Sequence, residues 1–107
     1  MYAHEKGALN RITQSLREQF PKRVRGVYVF GSRARGDHSE WSDFDVLVVV
    51  KDREPLIEEA IVSLFVEEEI RSGLEFTPLI KDLEAFESEK RFRTPFYENL
   101  TREGIVM

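Results

Sequence analysis

The chain has 107 residues, 41% hydrophobic and 34% charged, which suits one folded domain spanning residues 1–107 with a single core. It has no cysteine and two histidines, His4 and His38, which excludes a disulfide scaffold, a thiolate zinc site, a cysteine nucleophile and a histidine-built metal cage. The net charge of −4 is unevenly spread: residues 1–36 carry eight Lys/Arg against two Asp/Glu, and residues 37–107 carry eight against eighteen. A basic entrance on an acidic protein suits a small polyanionic ligand rather than duplex nucleic acid. No apolar run approaches the ~18 residues of a membrane span. The first residues lack the apolar stretch of a secretion signal, so the expected location is the cytoplasm.

Along the chain, Ala8, Leu9, Ile12, Leu16 and Phe20 recur at helical spacing, which predicts a helix from His4 to Phe20, ended by Pro21. Val24 to Phe30 is β-branched and aromatic, a strand. A turn bounded by Gly31 and Gly36 follows, then polar loop to Ser42. Phe44 to Val50 is a second strand, apolar enough to be covered on both faces. Pro55 opens a helix whose stripe runs from Leu56 to Ile70, and Gly73 suits its left-handed C-terminal position. Glu67-Glu68-Glu69 near its end reads as a solvated face or, alternatively, a partner-contact patch. Leu74 to Ile80 is a third strand, and Pro78 assigns it to a sheet edge or a bulge. Asp82 caps a short helix to about Phe92, and Thr94-Pro95 starts another that stops at Gly104. Phe92, Phe96 and Leu100, four apart, read as core cover. The order α-β-β-α-β-α-α describes an α+β fold, a small mixed sheet of three to four strands with helices packed on it.

Chemistry concentrates in Gly31-Ser32-Arg33-Ala34-Arg35-Gly36 and Asp43-Phe44-Asp45. Alternation along a strand puts Asp43 and Asp45 on one face, with Cα atoms about 6.6 Å apart at ~3.3 Å per residue. Two carboxylates ~4 Å apart repel by about 4 kcal/mol at an effective dielectric of 20. Solvent, a proton or a divalent cation must offset that repulsion. Only hard oxygen donors are present, so Mg²⁺ or Mn²⁺ is the natural cation. Gly31 allows close approach of the backbone to a ligand. Ser32 offers a hydroxyl and an N–H, and Arg33 and Arg35 offer guanidinium groups to phosphate. Together these features describe a nucleoside triphosphate bound through Mg²⁺.

Gly31-Ser32, ten intervening residues, then Asp43-Phe44-Asp45 resembles the signature of the DNA polymerase β-like nucleotidyltransferase superfamily. The Gly-Ser-Arg-Ala-Arg-Gly wording is similar to that of the minimal nucleotidyltransferases, the MNT proteins often encoded beside a helical HEPN partner as a toxin–antitoxin pair. The resemblance implies the nucleotidyltransferase fold. It implies that Gly31, Ser32, Arg33 and Arg35 bind nucleotide, that Asp43 and Asp45 hold two Mg²⁺ ions, and that a third carboxylate on a later strand assists deprotonation of the acceptor. Glu75 is the only acid on the third strand, where the family usually has Asp, so it is the candidate third metal ligand and catalytic carboxylate.

The implied activity is transfer of a nucleoside monophosphate, AMP if the donor is ATP, to a hydroxyl acceptor with release of pyrophosphate. With no room for a separate acceptor-binding domain, the acceptor is expected on another chain. A HEPN-type protein and an antitoxin role are what the resemblance implies, with homo-oligomerisation left open. The alternatives are a non-catalytic nucleotide- or partner-binding antitoxin module and a small-molecule nucleotidyltransferase resembling the aminoglycoside-modifying enzymes.

Overall fold

The computed structural model describes residues 2–31 and 43–107. Its elements are α1 (Ala3–Gln19), β1 (Val24–Phe30), β2 (Phe44–Val50), α2 (Pro55–Ser72), β3 (Phe76–Asp82), α3 (Leu83–Arg91), α4 (Pro95–Glu103) and β4 (Ile105–Val106). The α+β architecture expected from the sequence is the one observed. Among the described residues no helix is long and apolar enough to cross a membrane.

Local chemistry sets the boundaries. Pro55 stands in the first turn of α2, and Gly73, at φ 75°, closes it with its N–H on the Glu69 carbonyl at 2.9 Å. Asp82 accepts from the Glu84 N–H at 3.0 Å and caps α3. Thr94 accepts from the Tyr97 N–H at 3.3 Å and caps α4.

The four strands lie in the order β3-β2-β1-β4. β1 runs antiparallel to both β2 and β4, whereas β2 and β3 are parallel, with α2 as the crossover a parallel pair requires. Pro78 sits on the edge strand β3, as its missing N–H demands.

Alternation along β2 divides the core in two. Phe44, Val46, Val48 and Val50 join Val27 and Val29 of β1 beneath α1 and α2, against Leu9, Leu16, Ile61 and Phe65. Leu47 and Val49 face the other way, under Phe86 of α3 and Leu100 of α4, with Tyr28 and Phe30 beside them. Leu47, Val48 and Val50 are wholly buried, and each such side chain contributes about 1.5–3 kcal/mol relative to exposure. This double cover makes β2 a firm base for whatever stands at its N-terminal end.

Five expectations need correction. The apolar stripe of α2 does not run from Leu56 to Ile70, both of which are exposed; its buried apolar residues are Ile57, Ile61, Leu64 and Phe65. The third strand lies two residues later than the sequence indicated, so Glu75 precedes it. β4 is a strand that periodicity did not register. It is two residues long, paired with Val29 and Tyr28, and extended by the Met107 N–H on the Val27 carbonyl at 2.9 Å. The run of three glutamates is not simply a solvated face. Glu68 is buried and accepts from both Nε and Nη2 of Arg11, at 3.0 and 2.9 Å, while Glu69 accepts from the Phe76 N–H at 2.9 Å. Phe92 is not core cover: it is exposed at the C-terminal cap of α3, where the chain turns before α4 begins.

Candidate active site

Three strand ends meet at one edge of the molecule. The register pairs Phe30 with Asp45, and Asp45 with Thr77. The C-terminal end of β1 therefore lies beside the N-terminal ends of β2 and β3. The Phe44 N–H donates to the Glu75 carbonyl at 3.0 Å, which continues the β2–β3 pairing back to Glu75. Asp45 shares its strand face with Leu47 and Val49, the side covered by α3 and α4.

Asp43, Asp45 and Glu75 are brought together here. The Thr77 hydroxyl donates to Asp43 Oδ2 at 3.0 Å. A hydrogen bond to Asp43, then the Asp43 charge, raises the Glu75 carboxyl above the usual carboxylate range. Burial pushes the Asp45 carboxyl up, and the Asp43 charge pushes it the same way. The cluster thus bears the mark of crowded negative charge.

Gly31 stands against this cluster. Its φ is 85°, a left-handed conformation that disfavours any side chain. A Cβ on Gly31 would also run into the Asp45 carboxylate. The glycine expected to admit a ligand is required first by the close approach of Asp45. Ser32, Arg33 and Arg35, the other expected nucleotide-binding residues, lie outside the described residues.

Thr77 was not singled out from the sequence. Its signal was position, two residues beyond Glu75 at the start of the third strand, but its contact with Asp43 depends on the parallel β2–β3 register.

The family model described as the nucleotidyltransferase domain matches residues 9–105. The chain belongs to the nucleotidyltransferase domain family. Its relatives include two Methanocaldococcus jannaschii proteins named as candidate protein adenylyltransferases. One is 26% identical over 97% of this chain and 98% of its own length. The other is 31% identical over 74% of each. A crystal structure of a candidate nucleotidyltransferase from Sulfolobus solfataricus is 28% identical, covers 94% of this chain and 76% of its own, and superposes with a TM-score of 0.52. The protein is accordingly a nucleotidyltransferase enzyme of α+β fold.

Nucleotidyltransferases of this family generally use nucleoside triphosphates and divalent metals. Among the described residues no group of three His, Cys, Asp or Glu side chains is arranged to hold an ion on its own. The donor chemistry nevertheless fits Mg²⁺, which takes one or two carboxylates together with substrate phosphates rather than an all-protein cage. Asp43 and Asp45 supply such a pair, and their mutual repulsion is what a cation relieves.

Proposed function

We propose that the protein transfers AMP from ATP, with Mg²⁺, to a hydroxyl group on another protein chain. The observation that carries this reading is the meeting of Asp43, Asp45 and Glu75 at the Gly31 turn in a nucleotidyltransferase domain. The acceptor class is supported by the two relatives, both named for adenylylation of proteins, one of them matching nearly end to end.

In this account Asp43 and Asp45 would hold the divalent cations together with the substrate phosphates, and Glu75 would join them as a ligand only once a cation is bound. Bound there, Mg²⁺ would neutralise charge on the triphosphate and on the leaving pyrophosphate. The chain's own residues do the rest. Gly31 brings the backbone close to Asp45, and Ser32, Arg33 and Arg35, next in sequence, are assigned the phosphate tail. Thr77 holds one Asp43 oxygen, fixing how that carboxylate is presented. The acceptor oxygen bonds to the α-phosphorus while the bond to the bridging oxygen breaks, giving a phosphodiester and pyrophosphate. The acceptor's proton passes to a carboxylate of the cluster, and Glu75, exposed at its rim, is assigned that part. A HEPN-type protein is the proposed acceptor, with its modification as the antitoxin act.

Mass spectrometry after incubation of a HEPN-type partner with this protein, ATP and Mg²⁺ tests the proposal. An added AMP unit that disappears with Asp43→Asn plus Asp45→Asn supports it. Neutralisation of the partner without modification, unchanged in the double variant, would instead show a binding module. Transfer to an isolated small acceptor with no second chain would show a small-molecule enzyme.

A further inference from the structure

Beside the carboxylate cluster is a cleft of about 230 Å³, lined by Phe30 and Gly31 at the end of β1 and by Phe96, Asn99, Leu100 and Glu103 of α4. Gly31 belongs to both places: it lines the cleft and lies against the Asp45 carboxylate. A ligand whose phosphates sit at the Gly31 turn therefore has this cleft within immediate reach.

Size and chemistry narrow the occupant. Pockets that enclose a drug-sized molecule hold ~300–1,000 Å³, so this one takes a fragment, with the rest of the ligand outside. Two aromatic rings, Phe30 and Phe96, meet edge-on with centroids 5.9 Å apart, and Leu100 adds a buried aliphatic wall. Glu103, within ion-pair distance of Arg102, also lines the cleft, and among its described lining residues there is no Lys or Arg to hold a phosphate.

Asn99 adds direction. Its Oδ1 accepts from Arg102 Nη2 at 2.6 Å, which fixes the amide's orientation; among the described residues that oxygen keeps a second lone pair and the amide nitrogen both of its hydrogens. One acceptor and one donor side by side match adenine, which presents N6–H₂ next to N7. Guanine presents two acceptors, O6 and N7, for which Arg or Lys is the better match.

We infer that this cleft holds the base of the donor nucleotide, with Phe30 and Phe96 as its apolar walls and Asn99 as the residue that selects adenine over guanine. The inference rests on the nucleotidyl-transfer reading above and deepens it by placing the base and naming the residue that reads it.

Calorimetric titration of the intact protein in Mg²⁺ buffer tests it with three probes: tripolyphosphate, an ATP analogue with a methylene bridge between the α- and β-phosphates, and the matching GTP analogue. The ATP analogue is expected to bind at least about tenfold tighter than tripolyphosphate, because base–aromatic contact adds affinity the phosphates lack. It is also expected to bind about tenfold tighter than the GTP analogue. Asn99→Leu, at an exposed position, should remove most of the preference for adenine and leave tripolyphosphate binding unchanged. Equal binding of tripolyphosphate and the ATP analogue would overturn the cleft as a base site while leaving the phosphate site standing. An unchanged adenine preference in Asn99→Leu would overturn the assignment of Asn99. Failure of all three probes to bind would overturn both the cleft and the nucleotidyl-transfer reading beneath it.

Discussion

The two faces of the sheet are packed to different ends. Under α1 and α2 a broad apolar layer runs from Ala8 to Phe76, and the buried Glu68 of α2 is paired with Arg11 of α1. Under α3 and α4 the buried set is only Leu47, Val49, Phe86 and Leu100, flanked by half-buried aromatics. Where β1 ends and β2 begins, that thinner layer gives way to Asp45 and to the cleft beside Gly31. The first face holds the fold together. The second leaves part of its area to polar and charged groups whose grouping costs stability, and it can do so because β2 is anchored from behind.

Cutting into the first face should produce the largest loss of stability and little loss of chemistry. Ile61→Ala, at a fully buried position, is expected to cost about 2–5 kcal/mol in chemical denaturation, with the rate per folded molecule nearly unchanged. At the carboxylate end the pattern inverts. Asp43→Asn or Asp45→Asn should lower nucleotidyl transfer by about 10²–10³-fold. Asp45→Asn should at the same time raise the melting temperature of the metal-free protein by roughly a few degrees, since it removes a half-buried charge repelled by Asp43. A fall in stability with Asp45→Asn would erase the contrast between the faces.

Gly31→Ala joins both kinds of damage. The new methyl group meets the Asp45 carboxylate, and the left-handed backbone costs about 1–3 kcal/mol for a residue other than glycine. Thermal melts and transfer rates measured together should both fall. The smallest effect is expected at Thr94→Ala, which removes the α4 cap for about 1 kcal/mol and so loosens the thinner face without touching the carboxylates. Its signature is a lower melting temperature with the carboxylate-dependent rate retained below that temperature.

Much of this arrangement was legible in the sequence, for identifiable reasons. Helix periodicity, Pro55, Gly73, Asp82 and Thr94 are local signals, and the chain obeys them at those positions. Strand alternation alone was enough to put Asp45 with Leu47 and Val49, while Pro78 narrowed its strand to an edge or a bulge and the sheet order settles on the edge. What escaped depends on distant partners. Glu68 looks solvated until Arg11, 57 positions away, is laid beside it. Thr77 acquires its meaning from Asp43, 34 positions away, through a parallel register that the α2 crossover sets. β4 is too short to show a period, and its pairing with β1 is what makes it a strand. The role of Gly31 was half visible: a glycine was needed there, but the crowding comes from Asp45 as well as from any ligand.

The central claim is that the acids at the head of β2 form a site for a divalent cation together with a triphosphate. Electron paramagnetic resonance of Mn²⁺, titrated with the protein in the presence and absence of the methylene-bridged ATP analogue, tests it directly. The account predicts that the free Mn²⁺ signal falls when protein and analogue are both present, beyond what the analogue alone removes, and that Asp43→Asn with Asp45→Asn abolishes the difference. Equal Mn²⁺ uptake by the folded double variant would contradict it.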